Sequence, residues 1–173
     1  EIENCTLTGN KANNGGAIYA EKDGYALAKV TITGGTIGGK TEDDANKAAG
    51  SGSDEGRGGA VFIKGATVTI NSCTLTGNEA KNGGGVYVDG STATFTMKDS
   101  AVITPSLEEN TDSKKFNDVY LNSSAKITIA GILSPSGGKA ARITVPYSNY
   151  QTGMQVLKGT TEQITKNYMK FEV

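Results

Sequence analysis

Short runs in which apolar and polar residues alternate recur along the chain. Alternation with a period of two is typical of a β-strand that has one face buried and the other in water. The apolar residues of successive runs are expected to line up as one interior row, with the intervening threonines pointing outward. The runs are Val30-Thr31-Ile32, Val68-Thr69-Ile70, Phe95-Thr96-Met97 and Ile127-Thr128-Ile129.

A second unit begins with two glycines and continues with small, aliphatic and aromatic residues. Its copies are Gly15-Gly16-Ala17-Ile18-Tyr19, Gly58-Gly59-Ala60-Val61-Phe62 and Gly83-Gly84-Gly85-Val86-Tyr87, with a weaker copy at residues 117–121. They predict another interior row, formed by Ile18, Val61, Val86 and Val119. The stretch from Gly58 to Asn82 contains one whole repeat, with three short strands separated by turn residues.

A repeat of three short strands cannot bury its own apolar face, so it must stack on its neighbours. The sequence therefore predicts an all-β protein, a parallel β-helix of about five coils in residues 1–145. A β-sandwich does not require the same corner residues in every coil, and a β-propeller has a longer repeat. Loop insertions are expected at about 38–57 and 105–115. Residues 146–173 lose the repeat and are expected either to cap the stack or to begin another module.

The composition agrees with short strands and many turns, because 24 of the 173 residues are Gly and helix-forming residues are sparse. The 17 basic and 18 acidic residues give a net charge of −1, so no nucleic-acid-binding surface is predicted. The absence of His excludes His-based triads and metal sites. No apolar run approaches the roughly 20 residues of a membrane-spanning helix. The chain begins at Glu1 without a targeting segment, so a processed protein or a fragment of a longer one is expected.

Cys5 and Cys73 are expected to be inward-facing packing residues with free thiols. They occupy equivalent positions two coils apart, with Gly35 at the position between them. Two coil spacings amount to about 9.6 Å, whereas a disulfide requires Cα atoms within about 7 Å. A disulfide or redox pair is the alternative.

Corner residues supply a second set of structural candidates. Asn10 and Asn78 each follow a glycine at the same corner, where an Asn side chain can bond turn backbone groups or tolerate a left-handed conformation. Ligand binding is the alternative role for them. The second glycines of the repeated pairs are also assigned a structural role; they are Gly16, Gly59 and Gly84.

Four aromatic residues, one per coil, follow the second interior row directly. By alternation Tyr19, Phe62, Tyr87 and Tyr120 face outward, where they are expected to stack as a ladder. The alternative is a strip that contacts a carbohydrate or a protein.

The acidic residues Asp43, Asp44, Asp54 and Glu55 carry the oxygen ligands that Ca²⁺ prefers, but their spacing matches no calcium loop. A solvated loop is the better interpretation, and neither a metal nor a cofactor is predicted.

The repeated units resemble those of a known family. The glycine units, together with Leu7-x-x-Asn10 and Leu75-x-x-Asn78, resemble the GGA(I/L/V) and FxxN repeats of chlamydial polymorphic membrane proteins, with Leu in place of Phe. The stretch from Asp118 to Val145 is similar to treponemal surface proteins, which resemble autotransporter passengers. The resemblance implies a right-handed parallel β-helix with the pectin-lyase-like fold. It also implies a non-enzymatic, adhesin-like scaffold at a bacterial cell surface or outer membrane, within a longer chain, with a host protein or a glycan as its partner.

The competing hypothesis is a carbohydrate-binding or polysaccharide-degrading β-helix domain. Such enzymes place acidic residues and Arg or Lys on the outward strand positions of a groove, and paired carboxylates need rigid, facing positions. Here the outward positions are chiefly Thr, the acidic residues gather in loops, and the two arginines are Arg57 and Arg142. No catalytic residue is therefore predicted.

Overall fold

The computed structural model describes residues 1–104 and 117–173, which form a predominantly β structure with parallel sheets. Every pairing between named strands is parallel, and helix is almost absent. The helical elements of the described residues are helix α1 (Thr161–Asn167) and two short 3-10 helices, Tyr147–Asn149 and Tyr168–Lys170.

Nineteen strands in the described residues form four sheets. Sheet 1 contains β1 (Ile2–Glu3), β5 (Lys29–Thr33), β9 (Thr67–Asn71), β13 (Thr94–Lys98), β16 (Ile127–Ile129) and β18 (Leu157–Lys158). Sheet 2 contains β2 (Thr6–Leu7), β6 (Thr36–Gly38), β10 (Thr74–Thr76) and β14 (Val102–Ile103). Sheet 3 contains β3 (Lys11–Ala12), β7 (Lys47–Ala48) and β11 (Glu79–Ala80). Sheet 4 contains β4 (Ile18–Glu21), β8 (Val61–Lys64), β12 (Val86–Asp89), β15 (Val119–Asn122), β17 (Ala141–Thr144) and β19 (Phe171–Glu172).

The chain passes through sheets 1, 2, 3 and 4 in that order in the first three repeats; among the described residues the fourth repeat has no strand in sheet 3, and the fifth and sixth have strands in sheets 1 and 4 alone. We call each such series a structural repeat; the first runs from β1 to β4, and the sixth begins at β18. Strands of consecutive repeats are neighbours in every sheet. This order is consistent with a parallel β-helix or solenoid.

Both predicted interior rows are confirmed by the strand register. Ile32 pairs with Ile70, Ile70 with Met97, and Met97 with Ile129 in sheet 1. The second row pairs in sheet 4, in the order Ile18, Val61, Val86 and Val119. All these side chains except Ile18 are fully buried, and they pack into one apolar core between the sheets.

A left-handed residue at the same register position follows sheet 1 in each of the first four repeats, and in the second repeat Gly35 is left-handed as well. The position is occupied by Asn4, Gly34, Ser72 and Asp99, with φ between 50° and 65°. Residues other than glycine rarely adopt this conformation, and Asn and Asp tolerate it best because their short polar side chains bond locally.

Two separate steric requirements explain the glycine pairs that precede sheet 4. Gly15, Gly58 and Gly83 have φ of 60°, 66° and 65°, which favours glycine. The next position needs close backbone approach, because a Cβ on Gly16 would overlap the carbonyl oxygen of Gly59, and a Cβ on Gly59 that of Gly84.

The segment at 38–57 was predicted as an insertion without apolar periodicity, but the structure places part of it in the fold. Strand β7 pairs with both β3 and β11, and Ala45, Asn46 and Ala48 are buried. The loops on either side of this strand hide its short apolar pattern. The insertion predicted at 105–115 lies outside the described residues.

The C-terminal segment adds a strand to each of the two longest sheets. Strand β18 pairs with β16 and β19 with β17, so sheets 1 and 4 have six strands each, one more than the predicted number of coils. Between them, α1 and a 3-10 helix occupy the part of the chain that sheets 2 and 3 occupy in earlier repeats. A capping box at Thr160 begins α1, in which the Thr160 hydroxyl accepts from the Gln163 N–H and the Gln163 side chain accepts from the Thr160 N–H.

Candidate functional site

The four outward aromatic residues of sheet 4 stack as a continuous ladder. Ring centroids are 5.0 Å apart for Tyr19 and Phe62, 5.5 Å for Phe62 and Tyr87, and 5.1 Å for Tyr87 and Tyr120. The in-register parallel pairing of β4, β8, β12 and β15 brings the rings together. Such contacts contribute about 0.5–1.5 kcal/mol per pair beyond the buried area.

The inner rings of this aromatic ladder are not available to a ligand. Phe62 and Tyr87 are only 2% and 3% exposed, whereas Tyr19 is 49% exposed. The Arg57 guanidinium lies 5.3 Å from the centre of the Tyr87 ring, and burial raises the pKa of Tyr87 to about 12. The rings stack as expected, and the alternative of a contact strip does not fit the two central positions, because the rings and Arg57 cover one another.

A second ladder consists of asparagine side chains at one corner of the first four repeats. The Nδ2 of Asn10 donates to Oδ1 of Asn46 at 2.8 Å, Asn46 donates to Asn78 at 2.9 Å, and Asn78 donates to Asn117 at 3.1 Å. Asn46, Asn78 and Asn117 are buried. These bonds satisfy buried amides that would otherwise each cost about 1–3 kcal/mol.

The same asparagines also bond backbone groups of neighbouring strands. Asn46 donates to the Leu7 carbonyl, Asn78 to that of Ile37, and Asn117 to that of Leu75. The side chains of Asn10 and Asn78 contact corner backbone, as their predicted role requires, although a ligand-binding role is not tested.

Sequence reasoning missed two members of the asparagine ladder. Asn46 was hidden in the supposed insertion, although Asn46-Lys47-Ala48 repeats Asn10-Lys11-Ala12 and resembles Asn78-Glu79-Ala80. That tripeptide is the signal that identifies it. Asn117 has no such signal, because it precedes sheet 4 directly and enters the ladder from the other side of the corner.

Both cysteines are free, as predicted, but they differ in exposure. Cys73 is fully buried, and burial raises the pKa of its thiol to about 11. Cys5 is exposed, which corrects the expectation that it faces a closed interior. It lies in the first repeat, so no repeat covers it on that side.

The acidic residues of the 38–57 segment bond to nearby groups of the protein. Asp44 accepts from the Thr41 hydroxyl at 2.6 Å, and Asp54 accepts from Arg57 at 2.7 Å. Glu55 accepts from the Gly52 N–H and from the Asn13 side chain, both at 2.9 Å. Across residues 1–104 and 117–173, no three His, Cys, Asp or Glu side chains are grouped so that they would hold a metal ion.

A row of alternating charge lies at the C-terminal side of the aromatic ladder. The register places Asp118 opposite Arg142, which pairs with Glu172, and the Arg142 Nε lies 3.6 Å from the Glu172 carboxylate. Burial raises the pKa of the Asp118 carboxyl, although hydrogen bonds from the Thr144 side chain and the Gly84 N–H oppose the shift. Arg142, Thr144, Tyr150 and Glu172 also line a cavity of about 330 Å³. Sequence reasoning did not select Asp118, since no pattern marks a buried acid.

The most exposed aromatic side chains of the described residues lie between sheet 4 and sheet 1. Tyr25 and Tyr147 are almost wholly in solvent, and Tyr150 is two-thirds exposed. Tyr25 follows β4 and the other two follow β17, so they belong to opposite ends of the same corner. Exposed aromatic rings of this kind are common protein and carbohydrate contacts.

Residues 4–21 match the model of the Chlamydia polymorphic membrane protein repeat. The match spans most of the first structural repeat and includes Leu7, Asn10 and the pair Gly15-Gly16. It supports a surface repeat protein similar to the polymorphic membrane proteins. No curated protein and no solved structure matches the chain.

Helix α1 is too short and too polar to cross a membrane, and no other described helix is suited to do so.

Proposed function

We propose that this chain is a right-handed parallel β-helix of the pectin-lyase-like type that serves as an adhesin-like scaffold in a bacterial surface protein. The observation that carries the proposal is that the stretch matching a surface-protein repeat is itself one stacked unit of the parallel sheets. The right hand follows from the strong preference of parallel crossover connections. The asparagine and aromatic ladders support a structural role, because both tie one repeat to the next.

A scaffold needs a surface that contacts its partner, and the exposed tyrosines supply it. Tyr25 and Tyr147 make no packing contribution that would explain aromatic residues at positions almost wholly in solvent. An aromatic ring with a hydroxyl group suits both a sugar ring and a protein surface. We therefore assign adhesive contact to this corner and not to the aromatic ladder, and the partner is a host protein or a glycan.

An array of glycans and extracellular-matrix proteins tests this assignment. The purified chain is expected to bind at least one component, and a double variant Tyr25→Ser with Tyr147→Ser is expected to bind about thirtyfold more weakly, since each of the two lost contacts is worth about 1 kcal/mol. The matched control is Tyr120→Phe, which keeps the ladder ring. Equal binding by all three proteins would contradict the assignment to this corner.

Catalysis would overturn the scaffold proposal. Incubation with polysaccharides is expected to give no product, as measured by reducing-end release. Cleavage that is lost in Glu172→Gln would establish the carbohydrate-degrading alternative, because Glu172 is the acidic side chain that lines the cavity beside Arg142.

A further inference from the structure

A cavity of about 490 Å³ lies beside β18, the last strand of sheet 1. It is formed by residues of β18, of helix α1 and of the segments next to them, together with Lys126, which directly precedes β16. Its volume falls within the range of about 300–1,000 Å³ that is usual for small-molecule sites. None of the functional assignments made above uses this cavity.

One wall of the cavity is aliphatic and incompletely covered. Val156, Leu157 and Ile164 form this aliphatic wall, and each of them is half-buried. Val156 and Leu157 also pack against the core. None of the described lining residues is aromatic, so the cavity lacks a ring against which a sugar ring could stack. An alkyl chain is the group whose transfer from water such a surface favours.

Two lysine side chains make the cavity electropositive. Lys126 and Lys158 line it, and none of the described lining residues is acidic. In the part of the chain that the structure describes, neither ammonium group forms an ion pair or a hydrogen bond with the protein. The cavity beside Arg142 differs in this respect, because Glu172 lines it as well and lies 3.6 Å from the guanidinium.

The strand register holds the two lysines close enough for one anion to contact both. Ile127 pairs with Leu157 in the parallel ladder of β16 and β18. Lys126 and Lys158 therefore flank this pair, on adjacent strands and offset by two residues. A strand spacing of about 4.8 Å and a rise of about 3.3 Å per residue put their Cα atoms about 8 Å apart. A bound anion would relieve the repulsion between the two ammonium groups.

We propose that this cavity binds an anionic amphiphile, a molecule with an aliphatic chain and a carboxylate or phosphate head group. The chain lies against the aliphatic wall, and the head group lies between the ammonium groups of Lys126 and Lys158. A free fatty acid and a lipid of a membrane share this chemistry. The site is separate from the exposed tyrosines to which adhesive contact is assigned, and it does not depend on that assignment.

An acidic polypeptide in extended conformation is the competing occupant, because an edge strand can pair with another strand. Strand β18 is only two residues long, so a paired peptide would gain few backbone hydrogen bonds. The chain then enters α1 at Thr161, and residues of this helix line the same cavity. An alkyl chain needs no backbone partners, so the amphiphile fits the cavity better.

Isothermal titration calorimetry of the purified chain with octanoate and decanoate tests the proposal. We expect one ligand per chain, with decanoate bound about fifteenfold more tightly than octanoate, because each buried methylene group contributes about fourfold. Decanol has the same chain without the charge and is expected to bind about twentyfold more weakly than decanoate. Added salt is expected to weaken decanoate binding, since it screens the lysines.

Lysine variants locate the bound head group. Lys126→Gln and Lys158→Gln are each expected to weaken decanoate binding about fivefold, and the double variant about twentyfold. The matched control is Lys29→Gln, which should bind decanoate like the unaltered protein, because Lys29 is an exposed lysine of sheet 1 that lies outside the cavity. Glutamine keeps a long polar side chain, and an unchanged thermal unfolding midpoint checks that each variant is folded.

Vesicles distinguish the two sources of the ligand. Co-sedimentation with vesicles of phosphatidylglycerol and phosphatidylcholine that is lost in the double lysine variant assigns a membrane lipid, whereas decanoate binding without vesicle binding assigns a free fatty acid. Failure to bind either probe, or decanoate binding that the double variant retains, would overturn the proposal. Binding of a peptide of alternating glutamate and leucine, without binding of decanoate, would assign the cavity to an acidic polypeptide instead.

Discussion

The first and the sixth structural repeats both lie at an end of the stack, but their construction differs. The first presents four strand edges, partly exposed aliphatic side chains and an asparagine acceptor that faces outward. In the sixth, α1 satisfies its own backbone, and Asn167 is buried with its amide fully bonded. Helix α1 leaves no open ladder of backbone groups where sheets 2 and 3 would continue, although β18 and β19 are the last strands of sheets 1 and 4. The burial of side chains and the number of their hydrogen bonds therefore decrease more toward the first repeat than toward the sixth.

The largest expected difference between covered and open repeats concerns leucine packing. Leu7 and Leu75 occupy the same register position of sheet 2, on either side of Ile37. Leu75→Ala is expected to lower the free energy of unfolding by about 3 kcal/mol, because Leu75 is fully buried. Leu7→Ala is expected to cost about 1 kcal/mol or less, because water already reaches this side chain. Urea unfolding measures both, and equal losses would show that the first repeat is covered in solution.

Asn78 and Asn10 allow the covered and the open repeat to be compared at a polar position of the asparagine ladder. Asn78→Ala removes a buried amide from the middle of its ladder, so the Ile37 carbonyl and the Asn117 Oδ1 lose a donor and one side-chain N–H of Asn46 loses its acceptor. We expect a loss of about 2 kcal/mol. Asn10→Ala is expected to cost about 0.5 kcal/mol, since solvent replaces most of its bonds. Urea unfolding measures both losses. A larger loss for Asn10→Ala than for Asn78→Ala would contradict the interpretation that the first repeat is the less covered one.

The smallest expected effect concerns Asp118, which is buried among the later repeats. Its pKa is raised in the folded protein, so the folded state holds the proton more tightly than the unfolded state. Stability contributed by this group must then fall as the pH rises from the ordinary Asp pKa to the folded value. Asp118→Asn keeps the shape without the charge and should flatten that fall. Unfolding curves between about pH 4 and 8 check this, and parallel profiles for the two proteins would exclude the effect.

Sequence periodicity was sufficient to predict both interior rows, the outward ring positions and the free thiols. Those features repeat with a fixed period, so each copy reinforces the others. Periodicity failed at Asn46, where loops on both sides break the spacing, and at Asn117, which replaces a glycine. It also failed at Cys5 and Phe62, because alternation tells which way a side chain points but not whether another group covers it. The burial of Asp118 could not be predicted, since it depends on residues that are close in space but distant in the sequence.

The asparagine ladder gives the stack an electrical direction. Asn10, Asn46 and Asn78 each donate one side-chain N–H to the carbonyl of the asparagine in the next repeat, while the other N–H bonds a backbone carbonyl. Amide dipoles aligned in this way add, as peptide dipoles do along an α-helix, and each hydrogen bond polarises the next. The corner is thus a short column with a negative pole at Asn10, and its field strengthens with every repeat that extends it.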